Sequence, residues 1–343
     1  MKAAWIDNYG GIDVIQTSSI PIPKRKTGEI LIKIVSSTLN HHDVYVRRGE
    51  AGHTKLPVVL GSDGAGYVID CDSASKFSKG DKVVIYPVIS CGKCISCCEG
   101  LPHKCQSFGM LGGEEDGIQA EYASVPEACV VPMPDGLEFE RAAAISLAGL
   151  TAWNMVIDEG RAVQGEHALV LGASGGVGIF TVALLKRLGV HVHAVTSSPE
   201  KKEFLLELGV ETVLDDSPVS VLRHTRALNN GGVDMAFNWV GGDSWRYVAP
   251  AVRSGGRILV CGAVRSPVAE IDMRQIFYRN ISLLGCSMGT PGALEEMLKV
   301  AEKDNDLSVK IDQVITIDEI PEAQKRMEAG NITGKIVVRN TID

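Results

Sequence analysis

At 343 residues, with 45% hydrophobic and 22% charged, the chain exceeds what one hydrophobic core usually supports, and about two domains are expected. A formal net charge of -8 without clustered Lys and Arg argues against a nucleic-acid partner. No apolar run reaches the ~18 residues of a membrane span, and Met1-Lys2-Ala3-Ala4-Trp5 carries no signal-peptide pattern, so a cytoplasmic protein is expected.

Residues 1 to about 90 read as β-rich. Ile30-Leu31-Ile32-Lys33-Ile34-Val35, Val58-Val59-Leu60 and Val83-Val84-Ile85 are short apolar runs beside turn residues, and Gly80-Asp81 marks a tight turn before the last. Without βαβ alternation, this part is expected to be a separate, mostly antiparallel domain.

Nine cysteines without an export signal point to metal or reduced thiols before disulfides. Five lie between Cys91 and Cys105, in Cys91-Gly92-Lys93-Cys94-Ile95-Ser96-Cys97-Cys98 and then Cys105. The C-x-x-C steps suit a tetrahedral zinc shell of Cys91, Cys94, Cys97 and Cys105; a disulfide lobe or reactive thiols are the alternatives. With no open position this zinc is structural, and Cys98 and His103 are spectators.

Phe139 to Val156 reads as helical and leads to the run Ala168-Leu169-Val170-Leu171, a strand covered on both faces. Ala173-Ser174-Gly175-Gly176-Val177-Gly178 follows, then a helix, then the strand His191-Val192-His193-Ala194-Val195. A glycine-rich turn between strand and helix lets backbone amides meet a pyrophosphate at a helix N-terminus. In that order the pattern predicts a Rossmann unit binding a dinucleotide, although Ala173 replaces the first glycine of the motif. Val233–Phe237, Arg257–Gly262 and Ile281–Gly285 extend the alternation, and a helix over Ala293–Ala301 and the strand Lys335–Val338 close the chain.

Together the cysteine lobe, the Rossmann unit, Gly61-Ser62-Asp63-Gly64-Ala65-Gly66 and Gly334-Lys335-Ile336-Val337-Val338 resemble the medium-chain dehydrogenase/reductase superfamily, above all its zinc-containing alcohol-dehydrogenase-like and quinone-oxidoreductase-like branches. The resemblance implies an α/β protein. A GroES-like, mostly β catalytic domain over 1–148 and 292–343 would join a Rossmann domain with a doubly wound parallel sheet over 149–291. The cysteine lobe would be the family's structural zinc site.

The resemblance also exposes a departure. The catalytic zinc ligands of the alcohol dehydrogenases fall here on Asn40, Ser62 and about Leu147, none a good zinc ligand. Oxidising an alcohol means removing a hydroxyl proton of pKa ~16, which a Lewis-acidic metal makes feasible near neutrality. Without the ion, hydride addition to a quinone or an α,β-unsaturated carbonyl is the easier reaction, because donors can stabilise the phenolate or enolate. Asn40-His41-His42-Asp43-Val44-Tyr45 resembles the N-x-x-D-x-Y stretch that the quinone-oxidoreductase branch places beside the nicotinamide.

Each candidate carries two readings. Asn40 donates to the substrate oxygen or caps a helix. His42 relays a proton or lies on the surface. Asp43 orients its neighbours or bonds Arg47 or Arg48. Tyr45 donates to the carbonyl or walls the cleft, and Ser62 joins the site by analogy with the family. A substitute metal site of His41, His42 and Asp63 is a rival arrangement. Rival functions are a zinc alcohol dehydrogenase with unorthodox ligands and a non-enzymatic NADPH-binding protein.

At the position where NAD enzymes keep an acid for the ribose hydroxyl stands Thr196, followed by Ser197, Ser198 and Lys201. Hydroxyls and a cation favour a 2′-phosphate, so NADPH is expected over NADH. Val240, Gly262 and Ala263 sit in loops that resemble those approaching the nicotinamide. The strand around Ile281 to Cys286 resembles the edge through which family members pair, which implies a homodimer or homotetramer.

Overall fold

The computed structural model describes residues 1–340 except His53, Asn229, Asn305, Asp306, Ser308 and Val309. It divides into two compact units, Met1–Leu150 with Gly289–Asp343, and Thr151–Met288.

The first unit is built on a seven-stranded sheet. Its strands run in the order Val130–Pro132, Lys82–Ile85, Gly64–Asp70, Glu29–Thr38, Lys335–Arg339 and Ile311–Ile315, with Tyr122–Pro126 pairing Glu29–Thr38 off that path. Alternation explains the central strand: Ile30, Ile32 and Ile34 point to one face and enter a core with Val68, Val83, Ile85, Val125 and Val130. Each such side chain contributes roughly 1.5–3 kcal/mol by leaving water. The last strand returns from the far end of the sequence and lies antiparallel to this one, pairing Val337 with Thr38. Gly64 pairs Ser37 from the other side. One end of the sheet thereby gathers Thr38 to Asn40, Ser62 and Asp63, and Lys335. Gly61, just before, has φ 94° and leaves no room for a Cβ beside the Gln119 backbone.

The helix His41–Arg48 begins at Asn40 and ends at Gly49 in the left-handed conformation, φ 75°. Arg47 is buried and donates to Glu328 at 2.7 Å, Gln324 at 3.0 Å and the Gly10 carbonyl at 2.7 Å, which ties this helix to the helix Ile320–Glu328.

The second unit holds a six-stranded parallel sheet in the order Thr212–Asp215, His191–Thr196, His167–Leu171, Val233–Phe237, Val252–Val260 and Ser282–Gly285. The strand order reverses beside His167–Leu171, the switch point at which such sheets bind ligands outside their carboxyl ends. The helix expected over Phe139–Val156 is helical from 139 to 158, with π turns at Ile145–Gly149 and Asn154–Asp158. The helix expected over Ala293–Ala301 is longer, Pro291–Lys303, because Thr290 caps it by accepting from the Ala293 N–H at 3.0 Å. No helix among the described residues is long and apolar enough to cross a membrane.

Candidate functional site

In the cysteine lobe, the Sγ atoms of Cys91, Cys94, Cys97 and Cys105 all lie within 4.8 Å of one another. The closest separations are 3.5 Å for Cys94–Cys97 and Cys91–Cys105, 3.8 Å for Cys94–Cys105 and 4.0 Å for Cys91–Cys97. An ion with metal–sulfur bonds of ~2.3 Å at tetrahedral angles sets the sulfurs ~3.8 Å apart, whereas a disulfide needs ~2.05 Å. The thiols therefore fit a zinc shell, and no disulfide joins any of the nine cysteines. Backbone N–H groups of Cys97 and Gln106 hold the Cys94 thiol down to about 6, and those of Lys93 and Cys94 lower Cys91. Exposed Cys98 turns its thiol to the Lys93 carbonyl, and His103 lies outside the group.

The end of the first unit's sheet carries a buried polar cluster. Asn40, 7% exposed, is the N-cap of its helix, and the Asp43 carboxylate accepts from its backbone N–H at 2.9 Å. Beyond its place in this capping box, the Asn40 side chain accepts at Oδ1 from the Lys335 ammonium at 2.6 Å. Lys335 also donates to the Leu39 carbonyl at 3.0 Å and to Asp63 at 3.5 Å. Asp63 in turn accepts from the Thr38 N–H at 3.1 Å and its hydroxyl at 2.7 Å. Burial lowers the Lys335 pKa, while Asp63 and Asp43 oppose that shift.

Asp43 bonds neither arginine named for it above. Arg47 and Arg48 both pair with Glu328, and the buried Asp43 carboxylate accepts instead from Gln119 Nε2 at 3.1 Å. Burial, with the Asp63 charge nearby, raises Asp43 to about 7. His42 is half-buried and its Nδ1 lies 2.9 Å from the Ser62 hydroxyl. Burial lowers its pKa to about 4, so the imidazole is neutral near pH 7. Tyr45 is half-buried on the same helix. Leu147, in the π turn, offers hydrocarbon only. Among the described residues, His41, His42 and Asp63 do not bring three ligand atoms within 4.8 Å of one another, as the four cysteines do.

Lys335, Gln119 and Thr38 also belong to this cluster, and no motif in the sequence points to them as site residues. Lys335 left one trace in the sequence, a cation opening a run in which Ile336, Val337 and Val338 are all buried. Gln119 left none.

In the second unit the turn after His167–Leu171 opens the helix Gly176–Arg187, whose first amides have no intrahelical partner. A Cβ at Gly178 would meet the Gly172 carbonyl at 2.4 Å, so only glycine lets helix and strand approach this closely. Ala173 is buried beneath the turn. These residues fit a pyrophosphate. At the end of the next strand, Thr196 is nearly buried, and its hydroxyl accepts from the Ser198 N–H at 3.2 Å. Ser197 is exposed, and the Ser198 hydroxyl donates to Glu200 at 2.6 Å. Lys201 opens the following helix. Asn238 Oδ1 accepts from the Val240 N–H at 3.1 Å, and Val264 donates to the Trp239 carbonyl at 3.0 Å, fixing the loops that hold Val240, Gly262 and Ala263.

Residues 26–135 match the family model described as an alcohol dehydrogenase GroES-like domain, and 176–303 that described as a zinc-binding dehydrogenase. A solved NAD-dependent alcohol dehydrogenase is 32% identical, with a TM-score of 0.91 over 99% of this chain and 100% of its own. An alcohol dehydrogenase of Geobacillus stearothermophilus is 29% identical over 99% of both chains. A quinone oxidoreductase of Mus musculus is 27% identical over 84% of this chain and 81% of its own.

Proposed function

The chain belongs to the medium-chain dehydrogenase/reductase superfamily of oxidoreductases, and we propose that it is an NADPH-dependent reductase of quinones or α,β-unsaturated carbonyls that works without a catalytic zinc. The catalytic domain is assigned to 1–148 and 292–343 and the cofactor domain to 149–291. One observation carries the reading: the polar atoms at two of the three metal-ligand positions are already engaged. Asn40 Oδ1 is held by the Lys335 ammonium and the Ser62 hydroxyl by His42. A dication on Asn40 would face that ammonium across one amide oxygen in a buried site, where repulsion is poorly screened.

When bound, the nicotinamide supplies the hydride. Adding it to the β-carbon of an enone moves an electron pair to the carbonyl oxygen, and Asn40 Nδ2 is the neutral donor that meets this charge. The Ser62 hydroxyl then releases its proton to the oxygen or the α-carbon. His42 restores it from Nδ1 while Nε2 takes one from solvent, so the imidazole ends neutral. Asp43 fixes the backbone of Asn40, and Tyr45 walls the substrate. The turn Ala173 to Gly178 binds the pyrophosphate, Thr196, Ser197, Ser198 and Lys201 the adenosine 2′-phosphate, and Val240, Gly262 and Ala263 the nicotinamide end.

Edge strand Ser282–Gly285, with exposed Leu283 and Phe277 nearby, is the surface through which a homodimer or homotetramer would form. The activity is tested by following loss of nicotinamide absorbance with a quinone, an enone and a primary alcohol as alternative substrates. Turnover of the first two from NADPH is expected; oxidation of the alcohol alone would overturn the reading.

A further inference from the structure

We propose that Lys335 is a positioning residue for the reduction, locking the Asn40 amide with its N–H group toward the substrate oxygen and polarising it as a donor. The inference rests on the reading above in which Asn40 meets that oxygen.

The argument starts from what an ammonium can do. It has three N–H donors and no acceptor, so whichever Asn40 atom lies 2.6 Å from Lys335 Nζ must be the oxygen. The flipped amide would set donor against donor. Lys335 is buried, and its three donors face three acceptors: Asn40 Oδ1, the Leu39 carbonyl and Asp63 Oδ2. Its position is fixed in turn, since Asp63 is held by both the N–H and the hydroxyl of Thr38. The amide orientation is therefore set by strand pairing between the two ends of the chain.

What this leaves over is specific. Asn40 is 7% exposed, and its Nδ2 is buried with no hydrogen-bond partner among the described residues. A buried donor left unsatisfied is normally destabilising, so its retention calls for an occupant. Capping the helix does not require it, because the reciprocal bond of the helix start is made by the Asp43 carboxylate to the Asn40 backbone. An acceptor that appears only when substrate binds satisfies Nδ2. A cation on the far side of the amide draws electron density toward Oδ1 and makes the N–H a stronger donor to an oxygen gaining negative charge. Neutral amide and buried ammonium together favour a substrate whose oxygen becomes anionic during reaction and whose ground state is uncharged, as in enones and quinones.

A double-mutant cycle tests this, with kcat and KM for an enone, the Kd for NADPH by fluorescence, and the thermal unfolding midpoint measured on the full chain. Asn40→Ala is expected to lower kcat about 100-fold, and Lys335→Met at least about tenfold, both with unchanged Kd for NADPH. In the Asn40→Ala background Lys335→Met should then lower kcat less than twofold. An equal loss in both backgrounds, or no loss from Lys335→Met while Asn40→Ala is impaired, overturns the positioning role alone. An unimpaired Asn40→Ala overturns the underlying reading of Asn40. Should Lys335→Met not fold, Lys335→Gln, which keeps a donor for Oδ1 but no charge, takes its place with the same expected pattern.

Discussion

His42 Nδ1 lies 2.9 Å from the Ser62 hydroxyl, joining the first turn of the helix His41–Arg48 to the segment that precedes the strand Gly64–Asp70. A neutral imidazole and a hydroxyl exchange a proton in either direction. In the proposed mechanism, a serine at a position where a zinc enzyme keeps a ligand would thus serve as a proton donor.

The relay predicts that Ser62→Ala and His42→Asn each lower kcat by about 100-fold, the low end for loss of a general acid. Because the pair acts as one unit, the double variant should be no slower than either single one. Steady-state kinetics at saturating cofactor checks this; additive losses would separate the two residues.

Asp43 gives a pH dependence of stability. Its folded pKa is raised by burial from 3.8 to about 7, so the folded state holds a proton that the unfolded chain releases earlier. Its contribution is full below pH 3.8 and is lost as pH rises through about 7. Asp43→Asn keeps an acceptor for the Asn40 N–H and can donate to Gln119 Oε1, which is buried without a partner among the described residues. Thermal unfolding from pH 5 to 8 should show the variant gaining several degrees on the parent toward the alkaline end.

The opposite sign belongs to a chain of imidazoles in the second unit. Buried His193 lies 3.0 Å from His167 through Nε2 and 3.0 Å from His224 through Nδ1, with the His191–Glu211 pair also acting on it and Asp234 accepting from the His167 backbone N–H. Burial, then the His224 charge, lowers its pKa from 6.5 to about 4. The folded state binds fewer protons across that interval, so this contribution is full above pH 6.5 and lost as pH falls through about 4. Acid unfolding followed by circular dichroism should be less steep in His193→Leu, whatever the substitution costs at neutral pH.

The proposed preference for NADPH can be probed at Glu200, whose carboxylate accepts from the Ser198 hydroxyl beside the groups proposed for the 2′-phosphate. Glu200→Gln removes that negative charge and should raise the ratio of kcat/KM for NADPH over NADH about two- to five-fold, the scale of an exposed charge interaction. An unchanged ratio would place the 2′-phosphate elsewhere.

Much of the fold was legible because periodicity and turn chemistry are local. The run Ala168–Leu171, the glycine turn and the strand from His191 announced the parallel sheet, and the spacing of four cysteines announced their convergence. The polar cluster was half legible. Asn40, His42, Asp43 and Ser62 stood out through resemblance, yet the side chains that theirs bond come from 20 to almost 300 positions away, as the bond from Lys335 to Asn40 shows. Long-range strand pairing decides such contacts, and nothing near Lys335 or Gln119 in the sequence encodes it. Asp43 shows the same limit from the other side: helical spacing offered it Arg47, but tertiary packing gave that arginine to Glu328.

The proposed function stands on transfer of hydride to an activated acceptor with no metal at Asn40 and Ser62. It is tested most directly by measuring enone reduction from NADPH in protein whose zinc content has been counted. Full turnover is expected at one zinc per chain, that zinc being lost in Cys97→Ser. Turnover that begins only with a second zinc per chain would contradict it.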